Sequence, residues 1–484
     1  MNRRKLKAIF DAGFEAVLNL FKSQAKMAIK QSEEIEELKK RIKALEDRLG
    51  QNSSNSSKPP SSDWPKKLRS LRTKSGKLPG GQKGHKGHNL KMVTVPDSTV
   101  VHGVSACCKC GSSLMDTEPA GYRKRQVFDL PPIKVEVTEH MAEDKLCPRC
   151  GHLNEALFPK GVSQPTQYGP RIKAICTYLS QYQLLPYERT SELFSDLFGI
   201  DIAGSTVVNT NRVCFDALKS TEGNIKQQIT ASPVVHFDET GLYAEASRWW
   251  LHSASTDYLT YYAAHPRRGK LATDEIDILP KFLGVAVHDG WNTYFKYSCS
   301  HSLCNVHHLR ELKALKEFDG CKWAGHMASL LIKIKEAVDK NRDITDRLDK
   351  KSLEDFKDRY DKIIAQGLRE NPPSKARHGP KKRGRIKKSK AENLLYRLKD
   401  YWKQTLCFMY DFEVPFDNSL AERDIRMTKL KQKISGTFRS GDGAKTFCRI
   451  RGYISTVRKN SLSVIDAIQA AFEGNPFIIV PAES

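Results

Sequence analysis

Two short apolar runs decide the fold: residues 233–240, PVVHFDET, and residues 282–291, FLGVAVHDGW. Each closes on an aspartate, Asp238 in the first and Asp289 in the second. Their β-branched content and the turn residues around them predict buried strands. A carboxylate just after such a strand points from the rigid edge of a sheet. A third acid, Glu422, lies in residues 416–433, FDNSLAERDIRMTKLKQK, a basic stretch with helical character. Asn418, Glu422 and Arg426 recur every four residues and so share one helix face, with Lys429 and Lys433 close to it. The alternative for this stretch alone is ordinary surface ion pairing, which contributes little. Glu239 adjoins Asp238 but points to the opposite face of a strand. Asp417 reads as the cap of the Glu422 helix, and Asp424 falls on another face.

Outward from the first run, VVHFDETGLY, RWWLHSAST and YLTYYAAH form three strands in series, and FLGVAVHDG is a fourth. That order matches the start of an RNase H-like sheet in an α/β core. HSLCNVHHLRELKALKEF then turns helical, and residues 311–400 read as charged helices. Three carboxylates drawn together fit hard cations such as Mg²⁺, which take oxygen ligands. Two such ions about 4 Å apart clamp the attacking and leaving oxygens of an in-line phosphoryl displacement. The chain has 80 Lys+Arg against 56 Asp+Glu in 484 residues, a net charge of +24. Such an excess points to a polyanionic partner, because neutralising phosphates releases counterions; a ribosome-associated or merely solvated surface is the blander alternative. Nuclease or transposase chemistry on DNA follows.

The N-terminal part reads as separate modules. Residues 1–50 are helical. Ile35, Leu38, Ile42, Leu45 and Leu49 step by three and four, the seam of about two heptads of coiled coil. Such a helix either pairs protomers or packs on its own protein. Residues 51–98 are a basic linker. GQNSSNSSKPPSSD has no apolar residue to offset its ordering entropy, and His85 and His88 read better as part of a phosphate-tracking segment than as metal ligands. Residues 99–160 carry Cys107 and Cys110, then Cys147 and Cys150, two CxxC pairs that suit a closed structural zinc site; four buried free thiols are the alternative. The intervening residues 119–143 read as a β-hairpin, giving a zinc ribbon. Residues 165–230 are helical, broken at Pro186. Gly199 and a capping Ser205 outline a helix-turn-helix, although simple helix packing explains them equally. In 378–390, HGPKKRGRIKKSK, the residues Lys381, Lys382, Arg383 and Arg385 form a solvated loop suited to DNA backbone. Residues 441–484 form a helical tail, in which GDGAK lacks full phosphate-loop spacing.

No apolar run approaches the ~20 residues of a membrane span. The N-terminus carries Asp11 and Glu15 within its apolar stretch, poor for a signal peptide. The 12 cysteines do not form a secreted disulfide framework. A reducing cytoplasm, with association with the nucleoid, is expected.

Taken in order, GQNSSNSSKPPSSD, GGQKGHKGH, the CxxC pairs, LPYERTSELF, HFDETG, VHDGW, CNVHHLREL and DNSLAERDIRMTKLKQKISGTFRS resemble the insertion-sequence-66 family of bacterial DDE transposases over nearly the whole chain. The resemblance implies a leucine-zipper segment, a zinc-binding domain, and an RNase H-like DDE core over 231–440 with a helical insertion at about 318–405. It implies Asp238, Asp289 and Glu422 as the catalytic triad, holding two Mg²⁺ (or Mn²⁺) per active site. It matches Cys304 and His307 to a CxxH pattern, here read as structural support. Small accessory proteins of the same element are implied as well. The expected activity is Mg-dependent cleavage at insertion-sequence ends and transfer of the freed 3′-hydroxyl into target DNA. The zinc ribbon and helix-turn-helix would recognise terminal repeats, and the zipper would make a homo-oligomer, since two ends must be cut together. The alternatives are an RNase H-fold nuclease without strand transfer and an inactive DNA-binding protein.

Overall fold

The computed structural model describes residues 10–50, 90–372 and 388–478. The linker through residue 89, with His85 and His88, lies outside the described residues. So do Lys381, Lys382, Arg383 and Arg385. The chain divides into two compact units: Met1–Leu68, Gln164–Glu192 and Asp201–Ser484 form one, Arg69–Ser163 and Leu193–Ile200 the other.

In chain order the elements begin with helix α1 (Phe14–Gly50) and strands β1 (Asp144–Leu146) and β2 (Leu153–Glu155). Helices α2 (Pro170–Thr177), α3 (Tyr187–Phe198), α4 (Gly204–Ala217) and α5 (Lys219–Ala231) follow. Then come β3 (Val234–Ala244), β4 (Ser247–Ser255), β5 (Thr260–His265), α6 (Lys270–Ile276), β6 (Val285–His288) and β7 (Ser300–Leu303). Helices α7 (Asn305–Phe318), α8 (Lys322–Asn341), α9 (Lys350–Glu370), α10 (Lys390–Asp400) and α11 (Trp402–Tyr410) precede α12 (Ser419–Ser435). Helices α13 (Gly441–Lys459) and α14 (Val464–Phe472) close the chain. No helix of the described residues is long and apolar enough to cross a membrane.

Helix α1 is one continuous helix. Its seam residues Ile35, Leu38, Ile42 and Leu45 are each more than half exposed. An apolar stripe left in water is what a partner helix covers.

The smaller unit is built on two matching turns. Gly111 N–H donates to Cys107 O at 2.9 Å and Gly151 N–H to Cys147 O at 2.8 Å. Both glycines adopt positive φ, 76° and 69°, the conformation that closes a CxxC loop and that side chains resist. The hairpin expected over 119–143 is not formed. Instead β1 and β2 pair antiparallel around the second turn, and a lone bridge, Ala106–Ser113, flanks the first. Pro131 and Pro132 cannot donate to a ladder. Val127, Leu130 and Val137 stay exposed with no layer to pack on, so β-propensity alone does not make strands there.

The larger unit centres on a five-stranded sheet of order β5-β4-β3-β6-β7. β3, β4 and β5 run antiparallel in series, while β6 and β7 lie parallel to β3. β7 was not expected; SHSL is short and half polar, with too little pattern to read as a strand. One sheet face buries Val235, Phe237 and Ala286 with Ile225 and Ile229 of α5, and with Phe282 and Tyr294. The other buries Leu242 and Leu251 with Ile425 of α12 and Ala444 and Cys448 of α13. The helices between β7 and α12 have their own core around Trp323, Leu331, Leu395 and Phe408. Leu312 and Leu315 of α7 and Phe412 and Phe416, just before α12, join that core.

Two other expectations change. Residues 441–484 are no separate tail: Ile450, Ile454 and Val457 of α13 and Ile468 of α14 share one core with Ala174 of α2 and Cys214 of α4. Ser205 does not cap α4, whose N-cap is Ala203 without a side-chain bond. The break near Pro186 and the left-handed Gly199 (φ 64°) between α3 and α4 lie where the sequence puts them.

Candidate active site

Alternation along β3 sends Val235, Phe237 and Glu239 to one face and His236 and Asp238 to the other. Asp238 lies inside the strand, not at its end as expected. The reason is the pairing. β3 pairs with β6 only from Val234 to His236, opposite Val285 to Val287, but with β4 as far as Ala244. Counting on two residues, Asp238 stands level with Asp289, where β6 has stopped and β3 has lost a neighbour. Ligand sites form outside the carboxyl ends of parallel strands for this reason.

Asp289 is fixed by its turn. Its Oδ1 accepts Trp291 N–H at 2.9 Å. Gly290 N–H donates to His288 Nδ1 at 3.0 Å, which leaves the proton on Nε2. That N–H donates to His301 Nδ1 at 3.1 Å, and His301 Nε2–H to Tyr297 O at 3.2 Å. Burial, and then His301, push the His288 imidazole down to about 3, so this relay stays neutral.

Glu422 sits in the first turn of α12, whose residues Ala421, Ile425 and Thr428 are buried. Asn418 fastens that end of the helix. Its Oδ1 lies 2.8 Å from His236 Nδ1, its amide donates to Phe237 O at 2.8 Å, and its N–H reaches Cys304 Sγ at 3.2 Å. Asp417, expected to cap this helix, lies one residue before its N-cap, Asn418, which makes no side-chain cap bond; Asp417 accepts Ser419 N–H at 2.8 Å. Asn418→Ala is expected to cost about 2–4 kcal/mol, because it strands buried groups on β3. It should also lower activity at unchanged DNA affinity by loosening Glu422; thermal melts and DNA titration check this.

The other acids act on Asp238, although the oxygens of Asp238, Asp289 and Glu422 do not all lie within 4.8 Å of one another. Burial pushes Asp238 well above the usual carboxylate range, and Glu239, Asp289 and Glu422 push it further, against one bond from Glu239 N–H at 2.8 Å. Burial also raises Glu422, but His307, Arg310 and Arg426 outweigh it and hold it low. His307 Nε2 is 3.0 Å from Glu422 Oε1, and Arg310 is 3.8 Å from Oε2. Among the described residues no cationic side chain pairs with Asp238. Oxygen-only donors crowded by like charge fit a hard divalent cation.

Glu239, discounted in the sequence, belongs to the same neighbourhood. Its side chain is buried and raised by burial and then by Asp289. It accepts the Tyr294 hydroxyl at 2.5 Å and Arg268 Nε at 3.0 Å. The Arg268 guanidinium lies 4.8 Å from the Trp250 ring and 4.4 Å from Trp291. The adjacency of Glu239 to Asp238 and the Trp after Asp289-Gly were the only available signals; Arg268 and Trp250 carried none.

The expected DNA-contacting cations are arranged unequally. Arg426 and Lys433 are exposed. Lys429 donates to Gly241 O and thereby pins α12 to β3. Asp424 does face elsewhere: it pairs with Lys459 at 2.9 Å and accepts Ser255 Oγ at 2.9 Å. GDGAK is the start of α13, with Ser440 as its cap.

Each CxxC pair closes on itself. Hydrogen bonds from Ser112, then Cys107, lower the Cys110 thiol to about 7, and main-chain N–H groups of Arg149 and Cys150 lower Cys147. Low thiols of this kind favour the thiolate that zinc takes. The two pairs do not come together as one group of ligand atoms. The single such group among the described residues is Cys304, His307 and Glu422.

Residues 165–446, more than half of the chain and all three acids, match the family model described as Transposase IS66 family. Residues 105–151, which hold all four CxxC cysteines, match the zinc-finger binding domain of transposase IS66, supporting a structural zinc. Residues 17–91 match a family of unknown function, DUF6444. No curated protein matches the chain. With a carboxylate site inside the longer match and paired thiols inside the other, the chain belongs to the IS66 family of transposases.

Proposed function

We propose that this transposase cleaves DNA at insertion-sequence ends and joins the freed 3′-hydroxyl to target DNA at a site made by Asp238, Asp289 and Glu422. The observation that carries the reading is the strand register that sets Asp238 level with Asp289 at the open flank of β3, where Asp289 and Glu422 both raise the Asp238 carboxyl. The sheet order, three antiparallel strands then two parallel ones, supports an RNase H-like core. Two Mg²⁺ (or Mn²⁺) held by the triad would supply Lewis-acid charge to the attacking and leaving oxygens. The side chains do the rest. Asp238 and Asp289 offer fixed oxygens, because strand pairing and the neutral His288–His301 relay hold their backbone. Asn418 and His307 orient Glu422. Arg310, Arg426 and Lys433 face phosphate with positive charge, and Lys381, Lys382, Arg383 and Arg385 add a basic segment.

The CxxC unit, whose Cys107–Cys110 and Cys147–Cys150 pairs would have to be drawn together onto one zinc, and the exposed face of α4 would read terminal repeats. The seam of α1 would pair protomers, so that two ends are cut together. Accessory proteins of the same element would join that assembly, and the nucleoid is its expected location. Glu422→Gln tests the site: end cleavage in Mg²⁺ should fall roughly a thousandfold while salt-sensitive DNA binding persists. Unchanged cleavage would refute the triad.

A further inference from the structure

Glu422 has a second set of neighbours, of which His307 also orients it for the proposed cleavage. Cys304, His307 and Glu422 each offer one ligand atom, all within 4.8 Å of one another. The placement is local. Cys304 is the N-cap of α7 and His307 lies in its first turn, with His307 N–H on Cys304 O at 3.2 Å. Cys-x-x-His therefore turns sulfur and ring nitrogen to one side of the helix start. Helix α12 brings the carboxylate, and His307 Nε2 already lies 3.0 Å from Oε1.

The donor set is mixed: sulfur, nitrogen and oxygen. Mg²⁺ demands oxygen and a near-octahedral shell, so this group does not suit it. Zn²⁺ accepts all three donor types at roughly 2.0–2.3 Å in a tetrahedron, with one position left for water. Such bonds put ligand atoms roughly 3.3–3.8 Å apart, a contraction side-chain rotation can supply. The Cys304 sulfur is buried but not surrounded only by carbon, since Asn418 N–H points at it from 3.2 Å. Arg310, at 3.8 Å from Glu422, is the cation that an incoming ion would displace.

We propose that Cys304, His307 and Glu422 bind one Zn²⁺ distinct from the zinc of the CxxC unit, and that this ion inhibits the enzyme by withdrawing Glu422 from the catalytic set. Zinc binding stands without the proposed DNA chemistry; the inhibition rests on it. Binding releases the Cys304 thiol proton to solvent, breaks the His307 Nε2–H bond to Glu422, and moves that imidazole proton to Nδ1, so that Nε2 is free to ligate.

The test uses the full chain. Wild type, Cys304→Ser and His307→Gln are saturated with Zn²⁺, freed of excess by gel filtration, and analysed for zinc per chain. Wild type should hold one zinc more than either variant, the CxxC unit accounting for what remains. Equal zinc in all three overturns the site. His307→Gln guards against a Cys304→Ser chain that fails to fold. Each protein is then assayed for end cleavage in Mg²⁺ with rising Zn²⁺, relative to its own zinc-free rate. Half-inhibition of Cys304→Ser should need about tenfold more zinc than wild type. Identical inhibition curves would overturn the inhibitory role, even with the extra zinc confirmed.

Discussion

Asp238→Asn is expected to lower DNA cleavage by roughly a thousandfold or more and at the same time to raise the melting temperature of the metal-free protein. Both results follow from one carboxylate. Asp238 is buried on β3 and crowded by Glu239, Asp289 and Glu422, so its folded pKa lies well above the unfolded value. A raised acid binds its proton more tightly in the folded state. Its contribution is fully present below about pH 4, the unfolded value. It is lost as pH rises through the folded pKa, and the ionised form then weakens the fold. Asparagine keeps the shape and removes the charge. The expected gain at neutral pH is roughly 3–5 °C, with a flatter dependence of melting on pH. Mg²⁺ should stabilise the wild type, because an ion that binds only the folded state adds to its stability, and should stabilise Asp238→Asn less. Cleavage should fall by roughly a thousandfold or more. Melting scans with and without Mg²⁺ read the first pair of effects, a gel assay the last. A variant that melts earlier than wild type in metal-free buffer would contradict the crowding.

Gly284→Ala is expected to damage the same site from a distance. A Cβ at Gly284 would meet Pro233 O at 2.3 Å, Ser232 O at 2.8 Å and the Phe282 ring at 2.8 Å. Two of these are main chain and cannot rotate away. Val285 N–H donates to Pro233 O at 2.7 Å beside this point, the first rung between β3 and β6. Alanine must push the strands apart there, and Asp289 lies five residues on. The expected cost is about 3 kcal/mol or more. An ångström of misplacement between Asp238 and Asp289 would lower cleavage by about a hundredfold. Thermal melting and cleavage at one Mg²⁺ concentration measure both. A variant within about 0.5 kcal/mol of wild type would mean that β6 is not held against β3 in this way.

The strands that carry the acids were legible because each is a compact β-branched run bounded by turn residues. Their consequences were less so. VVHFDETGLY reads as one strand through Tyr243, and β3 runs to Ala244, but the pairing of its second half with β4 alone leaves no mark on composition. β7 escaped notice because four residues, two of them Ser, give no periodicity. The hairpin expected over 119–143 shows the converse: Val135 and Val137 favour strands, but without a layer to cover them they remain exposed coil. At the site, the repeat of Asn418, Glu422 and Arg426 was visible, but Asn418 proved to be a buried clasp to β3. The Arg268 stack between Trp250 and Trp291 was not readable at all. It joins a strand, a loop and a turn that meet only in the folded sheet.

Strand transfer tests the central claim most directly, that Asp238, Asp289 and Glu422 form one metal-dependent site for cutting and joining. Purified protein is mixed with labelled element-end DNA, a plasmid target and Mg²⁺, in parallel with Asp289→Ala. The account predicts joined product from the wild type in Mg²⁺ alone, and none from Asp289→Ala despite equal DNA binding. Joined product from Asp289→Ala at the wild-type rate, or from the wild type without divalent metal, would contradict it.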